Sequence, residues 1–241
     1  MGDTASRGDR DHAFPKIRQA APPTVADQVF AALQQRILTL ALPPRTRMSE
    51  ADVAEKMGVS RQPVREAFKR LAKLGFLQIR PQSGTTVAPI SEEAVLRARF
   101  IRTALEIQTC RRACETLTQT GLDVLAALVA SQKSAVAAQD RALFHALDDQ
   151  FHREICVQSG VGFVWDLIHD NKAHMDRIRM LSLSLSSQRL ALEEHVVVFE
   201  AIAARDADSA SAAITRHLSR ILALIDEVKA LDHSWFTDTA A

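Results

Sequence analysis

Helical spacing of apolar residues begins after residue 23. Val29, Phe30, Leu33, Ile37 and Leu40 recur on one face, which predicts a helix opened by Thr24 and stopped at Pro43-Pro44. Ser49 opens a second, shorter helix whose buried stripe is Val53, Ala54 and Met57, and Gly58 allows a sharp turn after it. Ser60 caps a third, with Val64, Phe68, Leu71 and Leu74 facing inward. Pro63 sits in its first turn, where a missing amide proton is tolerated, and Gly75 ends it. The β-prone runs 76–80 and 85–88 flank Pro81-Gln82-Ser83-Gly84 and read as a hairpin.

Beyond Pro89 the pattern changes. Residues 91–235 contain no proline, and Leu, Ala, Val and Ile repeat at three- and four-residue spacing. Helices are expected near 92–118, 123–139, 141–158, 163–183, 188–204 and 207–230, with breaks at Gly121, Gly160 and Gly162. Short connections between them argue for an antiparallel bundle. The fold class is therefore mainly α: a winged helix-turn-helix of three helices plus a β-hairpin, over 23–90, joined to an all-α antiparallel bundle over 91–235. Residues 1–22 are polar and aperiodic and are expected to be a mobile tail; 236–241 are expected to be a second tail.

Composition agrees with a soluble globular protein, at 47% hydrophobic and 24% charged residues. No apolar run approaches the ~20 residues that cross a bilayer, and the N-terminus lacks an apolar signal core. Cys110, Cys114 and Cys156 form no CxxC pair, so no disulfide framework is expected. A cytoplasmic protein without a membrane partner is the expectation. The net charge of +1 hides an uneven division. Nine basic residues against four acidic ones lie between Arg45 and Arg80, whereas 81–241 hold sixteen against twenty-one. A short basic segment on an acidic remainder suggests that one part faces a polyanion.

The third helix is short enough to enter a major groove, and its start reaches base edges first. Ser60, Arg61, Gln62 and Arg65 stand there. Arg47 is placed for a phosphate, and Ser83 and Gly84 at the hairpin tip for the backbone or minor groove. Lys56, Lys69, Arg70 and Lys73 read as ordinary solvated charges. The stretch from Leu42 to Val87, with S-R-x-P-V-R-E-A and a terminal G-T-x-V, resembles the DNA-binding domain of the GntR family of bacterial repressors. That family usually has Gly where Arg45 stands.

In the second part, Asp148 and His152 are four residues apart on one helix, and His195 and His217 lie on two others. Such a set suits Zn²⁺, Ni²⁺ or Mn²⁺, although a lone His on an amphipathic helix is more commonly just hydrogen-bonded. The runs D-D-Q-F-H-R-E-I, E-H-V-V-V-F-E-A-I and R-H-L resemble, in order and spacing, the FCD ligand-binding domain of the FadR-type branch. The resemblance implies a divalent metal on Asp148, His152, His195 and His217. It also implies that Arg102, in R-x-x-L-E, faces a ligand cavity, where a guanidinium suits a carboxylate. An ion pair with Glu106 is the alternative. Asn171, Arg177, His174 and His145 are further polar candidates, and Val161 stands where the family commonly has Asn. The resemblance thus implies a homodimeric repressor on double-stranded operator DNA, controlled by a small carboxylic acid. Two rivals remain: a regulator for which the metal itself is the signal, and a helical-bundle metalloenzyme. The latter lacks an obvious general base and the Glu-x-x-His pairs of di-iron bundles.

Overall fold

A computed structural model of the chain describes residues 23–80, 84–182 and 185–237. The predicted mobile tail 1–22 and the DNA-contact candidate Ser83 lie outside these residues. Helix α1 (Val25–Leu38) starts in a capping box, in which the Thr24 hydroxyl accepts from the Asp27 amide and the Asp27 carboxylate accepts from Thr24. Helices α2 (Glu50–Met57) and α3 (Arg61–Lys73) follow. Val29, Leu33 and Ile37 of α1 meet Val64, Phe68 and Leu71 of α3 in one buried cluster, closed by Phe76, Leu77 and Val87. Burying each large side chain contributes roughly 1.5–3 kcal/mol.

The expected hairpin is present as β2 (Leu77–Arg80) and β3 (Gly84–Val87). A third strand, β1 (Arg47–Met48), pairs antiparallel with β3 and gives the order β1-β3-β2. Two residues carry no periodicity, so hydrophobic patterning could not reveal it.

Arg45, just before β1, has φ of 67°. This left-handed conformation costs a side-chain-bearing residue roughly 1 kcal/mol and is the reason glycine suits the position. Here the guanidinium has a use: it donates to the Ser234 and Phe236 carbonyls at the far end of the chain.

The second part is helical throughout: α4 (Glu92–Thr116), α5 (Gln119–Ala137), α6 (Arg141–Gln158), α7 (Phe163–His169), α8 (Ala173–Leu181), α9 (Leu185–Ala203), α10 (Ala207–Ser219) and α11 (Ile221–Leu231). Its main core joins Cys110, Ala113, Leu125, Phe151, Val198, Ile202, Ile214 and Leu218 from five helices. All three cysteines are buried free thiols. Two expected helices are each split. The 163–183 segment breaks at Asn171-Lys172, where the Lys172 ammonium turns inward to Asp149 and Asp176 at 2.6 and 2.5 Å. The 207–230 segment breaks at Arg220.

Residues from 236 onward were expected to be a tail, and for Phe236 this is wrong. Phe236 is 2% exposed and packs with Ile90, Val95, Met175, Ile178 and Ile225. Its backbone bridges to Ile90, with Ile90 N–H donating to Trp235 and Thr237 N–H to Ile90. The segment is too short to show periodicity, and its partner lies far away in the chain. Replacing Phe236 with Ala should therefore cost about 3–5 kcal/mol in urea unfolding; a free tail would leave the midpoint unchanged.

Candidate metal centre and nucleic-acid interface

The four side chains that the family resemblance implies as a metal set converge between α6, α9 and α10. Asp148, His152, His195 and His217 are all buried, and one donor atom from each lies within 4.8 Å of the others. Each imidazole is oriented through Nδ1. His152 Nδ1 meets Glu106 Oε2 at 2.6 Å, His195 Nδ1 meets Gln132 Oε1 at 2.8 Å, and His217 Nδ1 meets Glu194 Oε2 at 2.9 Å. Gln132 also donates through Nε2 to the Leu147 carbonyl, which leaves its oxygen for His195. Since all three acceptors require a proton on Nδ1, the Nε2 lone pairs point at the centre.

Those lone pairs have no good partner in each other. His195 and His217 Nε2 are 3.3 Å apart, and neither carries a proton to share. His152 Nε2 is buried without a hydrogen-bond partner among the described residues. Three imidazole nitrogens converging beside a carboxylate form a donor set that a divalent transition metal fits. Burial, together with the neighbouring imidazoles and arginines, pushes His195 and His217 well below the ordinary histidine range, so both are neutral as ligands must be. Burial alone would raise Glu106, but Arg102 and His152 outweigh it and hold it at about 2.

For Arg102 the structure shows the alternative reading, the ion pair. It pairs with Glu106 at 2.6 Å, but the pair is buried rather than on the surface, and Arg102 also lines a small cavity with His217. Arg177 and Asn171 stand elsewhere. Arg177 is buried, but on the opposite side of α8, donating to the Ala88 carbonyl at 2.5 Å. Asn171 is exposed and donates to Leu167 at the α7–α8 break. Two residues along a helix turn the side chain by about 200°, so Arg179, not Arg177, reaches the centre, where it pairs with Asp148. Sequence reasoning missed Arg179 as well as Arg220 and Gln132; only the phase of α8 relative to the centre singles out the first. His145 is buried beside Asp148. Val161 packs against Cys156 and Trp165.

Helix α8 touches both halves of the molecule. Ala173 and Met180 join the core of the winged helix, while Met175 and Ile178 join that of the bundle. His174 Nδ1 accepts from the Ser91 amide at 3.2 Å, and its ring fills the space where Gly75, with φ of 81°, has no side chain. Burial and Arg177 lower His174 to about 4.

At the other end of the molecule, Ser60, Arg61, Gln62 and Arg65 are all exposed at the start of α3. The Ser60 hydroxyl makes no capping bond among the described residues, and no acid occupies the first turn. First-turn amides therefore face outward without an internal acceptor, as phosphate contact requires. Arg65 is held by Glu50 at 3.0 Å, which aims it. Arg47 is exposed on β1, and Gly84, with φ of 90°, opens β3. Arg80, not singled out from sequence, lines one groove with Arg47 and Gly84.

Residues 25–87 match the bacterial regulatory proteins of the gntR family, and residues 98–220 match the FCD domain. The chain is 34% identical to the HTH-type transcriptional repressor RspR of Escherichia coli K12, over 89% of this chain and 94% of that protein. It is 31% identical to an HTH-type regulator from an unstable DNA locus of Streptomyces ambofaciens, over 88% and 90%. In structure it resembles E. coli McbR/YncC, with a TM-score of 0.72, 22% identity, and 85% and 98% of the two chains covered. The matched family and the two sequence relatives are transcriptional regulators, which removes the metalloenzyme reading. No helix among the described residues is long and apolar enough to cross a membrane.

Acid should destabilise the metal-free protein. His174, His195 and His217 have folded pKa values below their unfolded value of ~6.5, so the unfolded chain binds the extra protons. Stability is then full above ~6.5 and is lost as pH falls towards 4, by about 1.4 kcal/mol per unit for each histidine. Urea midpoints measured between pH 7.5 and 4.5 in EDTA should show this slope, and His174→Asn should make it shallower; a flat profile would contradict the assigned neutral states.

Proposed function

The chain belongs to the GntR family of bacterial regulatory proteins, with an FCD domain behind its winged helix, and from that premise we propose that it is a repressor whose operator affinity is set by a small carboxylate bound together with a divalent metal. That the protein is a DNA-binding transcriptional regulator follows from the family. The observation that supports metal dependence is the convergence of three imidazole Nε2 atoms on Asp148, each ring anchored through Nδ1. Asp148, His152, His195 and His217 would hold the ion, which supplies a positive charge for a carboxylate to meet.

Arg61, Gln62 and Arg65 would read base edges, while Ser60, Arg47 and Gly84 would hold the backbone. A homodimer places one α3 in each half of an inverted repeat. Exposed apolar pairs support self-association: Leu96 and Phe100 on α4, and Phe163 and Leu167 on α7, on two helices that pack together. Helix α8 would carry the signal, since Arg179 reaches the centre while His174 and Arg177 hold the segment leading from the DNA head. A ligand shifts the heads only if it binds one arrangement more tightly.

A second reading, in which the metal alone is the signal, is favoured by the size of the cavities beside the centre. They hold about 10 and 20 Å³, too little for an organic acid without rearrangement.

Binding of the full chain to DNA upstream of its own gene tests both readings, at two salt concentrations, with Zn²⁺ or Ni²⁺, a carboxylate panel, or both. The first expects affinity to change only when metal and acid are present together; the second expects a change with metal alone; no change under any condition would reject both. Affinity itself should fall steeply with salt. Arg61→Ala should weaken operator binding roughly ten- to a hundredfold and relax preference at one base position, as measured by fluorescence anisotropy on operator variants.

A further inference from the structure

Strand register fixes which side chains share each face of the wing sheet. Arg47 of β1 and Gln78 of β2 both stand opposite Thr86 of β3, and Arg80 stands opposite Gly84. Directly opposed residues, and residues two apart along a strand, lie on the same face. Arg47, Thr86, Gln78, Arg80 and Gly84 therefore share one side. Leu77 and Val87 lie on the other, buried in the core of the winged helix. The first five are left facing outward, where they line an open groove of about 530 Å³ that runs on to Arg45 and Thr237.

The groove is positively charged throughout. No acidic side chain lines it among the described residues, and neither Arg47 nor Arg80 is in an ion pair there. Their guanidiniums stand on the two outer strands, whose spacing puts the Cα atoms roughly 12 Å apart. Between them lies an uncharged strip. Gln78 and Thr86 offer an amide and a hydroxyl as donors, and Gly84 has open space where a Cβ would be, so a backbone can come close. Spaced cations and donors without a carboxylate suit a row of phosphates.

Position and exposure say which polyanion fits. Arg47 and Arg80 are exposed, and a lone phosphate in solvent gains little from an exposed arginine. A duplex already gripped by α3 is different, because its next phosphates arrive without a further loss of freedom. The groove opens at Gly84, where the hairpin end of the sheet meets the duplex in the reading above, and leads past Thr86 to Arg45 and Thr237. Since α3 packs against the buried face of the same sheet, the outward face is turned to a different stretch of DNA.

We propose that the outward face of the wing sheet is a second DNA-contact surface, on which Arg80, Gln78, Thr86 and Arg47 hold the backbone of the duplex flanking the half-site. Resting on the DNA-binding reading of α3 above, it adds Arg80, Gln78 and Thr86 to the contacts, and adds them without reading sequence. Affinity then depends on the length of DNA around the site, not on its sequence there. At its far end the groove meets the C-terminal segment, where Arg45 donates to the Ser234 and Phe236 carbonyls and the Thr237 amide to Ile90. Flanking DNA thus reaches the contact between head and bundle.

Fluorescence anisotropy of the full chain on two duplexes tests this. Both carry the inverted repeat bound upstream of its own gene. One ends about two base pairs beyond the repeat, and the other runs on by about ten on each side, one helical turn of unrelated sequence. The extended duplex should bind about tenfold more tightly, with a salt dependence steeper by about 3–4 for a dimer holding two more phosphates per head. Arg80→Gln should lose most of that gain while binding the trimmed duplex as before, and Arg80→Lys, which keeps the charge, should regain most of it. Thr86→Glu, which places an acid mid-face, should remove the gain in the same way. Partial unfolding of a variant lowers both affinities alike, so it cannot imitate a change in their ratio. Equal affinity of the unsubstituted chain for the two duplexes would overturn the surface, as would an unchanged ratio in the folded variants. Failure to bind either duplex would instead overturn the reading of α3 beneath it. Flank-independent affinity, together with calorimetric binding of tripolyphosphate that Arg80→Gln abolishes, would make the face a site for a free polyanion and overturn its assignment to DNA.

Discussion

Lone pairs crowded together in a protein interior repel one another, and at the centre of this bundle three imidazole nitrogens face a buried carboxylate within 4.8 Å. Helices α4, α5 and α9 each contribute an acceptor that fixes one ring, through Glu106, Gln132 and Glu194. These acceptors decide the tautomers, and the tautomers decide that the centre attracts positive charge. Arg102, Arg179 and Arg220 crowd around it for the same reason. Much of the polar interior of the bundle can be read as the consequence of those three Nδ1 hydrogen bonds.

That centre communicates with the DNA-binding half through α8. A helix with one face in each core cannot shift without disturbing both. Arg177 and His174 bond to Ala88 and Ser91, the stretch of chain that leaves the winged helix for α4. The C-terminal segment ties the same junction from the other side, with Phe236 in the bundle core and the Arg45 guanidinium on its carbonyls. The two halves therefore meet through bonded, packed contacts rather than through a loose linker. A local change at the centre has a continuous physical route to the DNA head.

Arg45 illustrates how a departure from a family pattern acquires meaning. Its backbone occupies the left-handed conformation that makes glycine usual at the position, so the substitution costs local strain. The side chain that glycine lacks then reaches the Ser234 and Phe236 carbonyls. Hydrogen bonds to these two carbonyls offset a penalty of similar size.

The order of elements was legible in the residues themselves, because helices and hairpins are written in short-range spacing. Thr24 with Asp27, Ser49 with Asp52, and the Val64, Phe68 and Leu71 stripe each require only three or four neighbouring residues to be recognised. Asp148 and His152 were legible as a pair on the same grounds, and the family resemblance supplied His195 and His217. What short-range pattern cannot encode is rotation and distance between elements that are remote in the chain. Only the packing of α8 decided that Arg179 faces the centre while Arg177 faces the DNA head. Only a parallel bridge across about 145 residues turned Phe236 from tail into core. Sequence determined which groups could bind a metal and a duplex; the tertiary structure decided which arginine reaches Asp148, since that depends on the phase of one helix against three others.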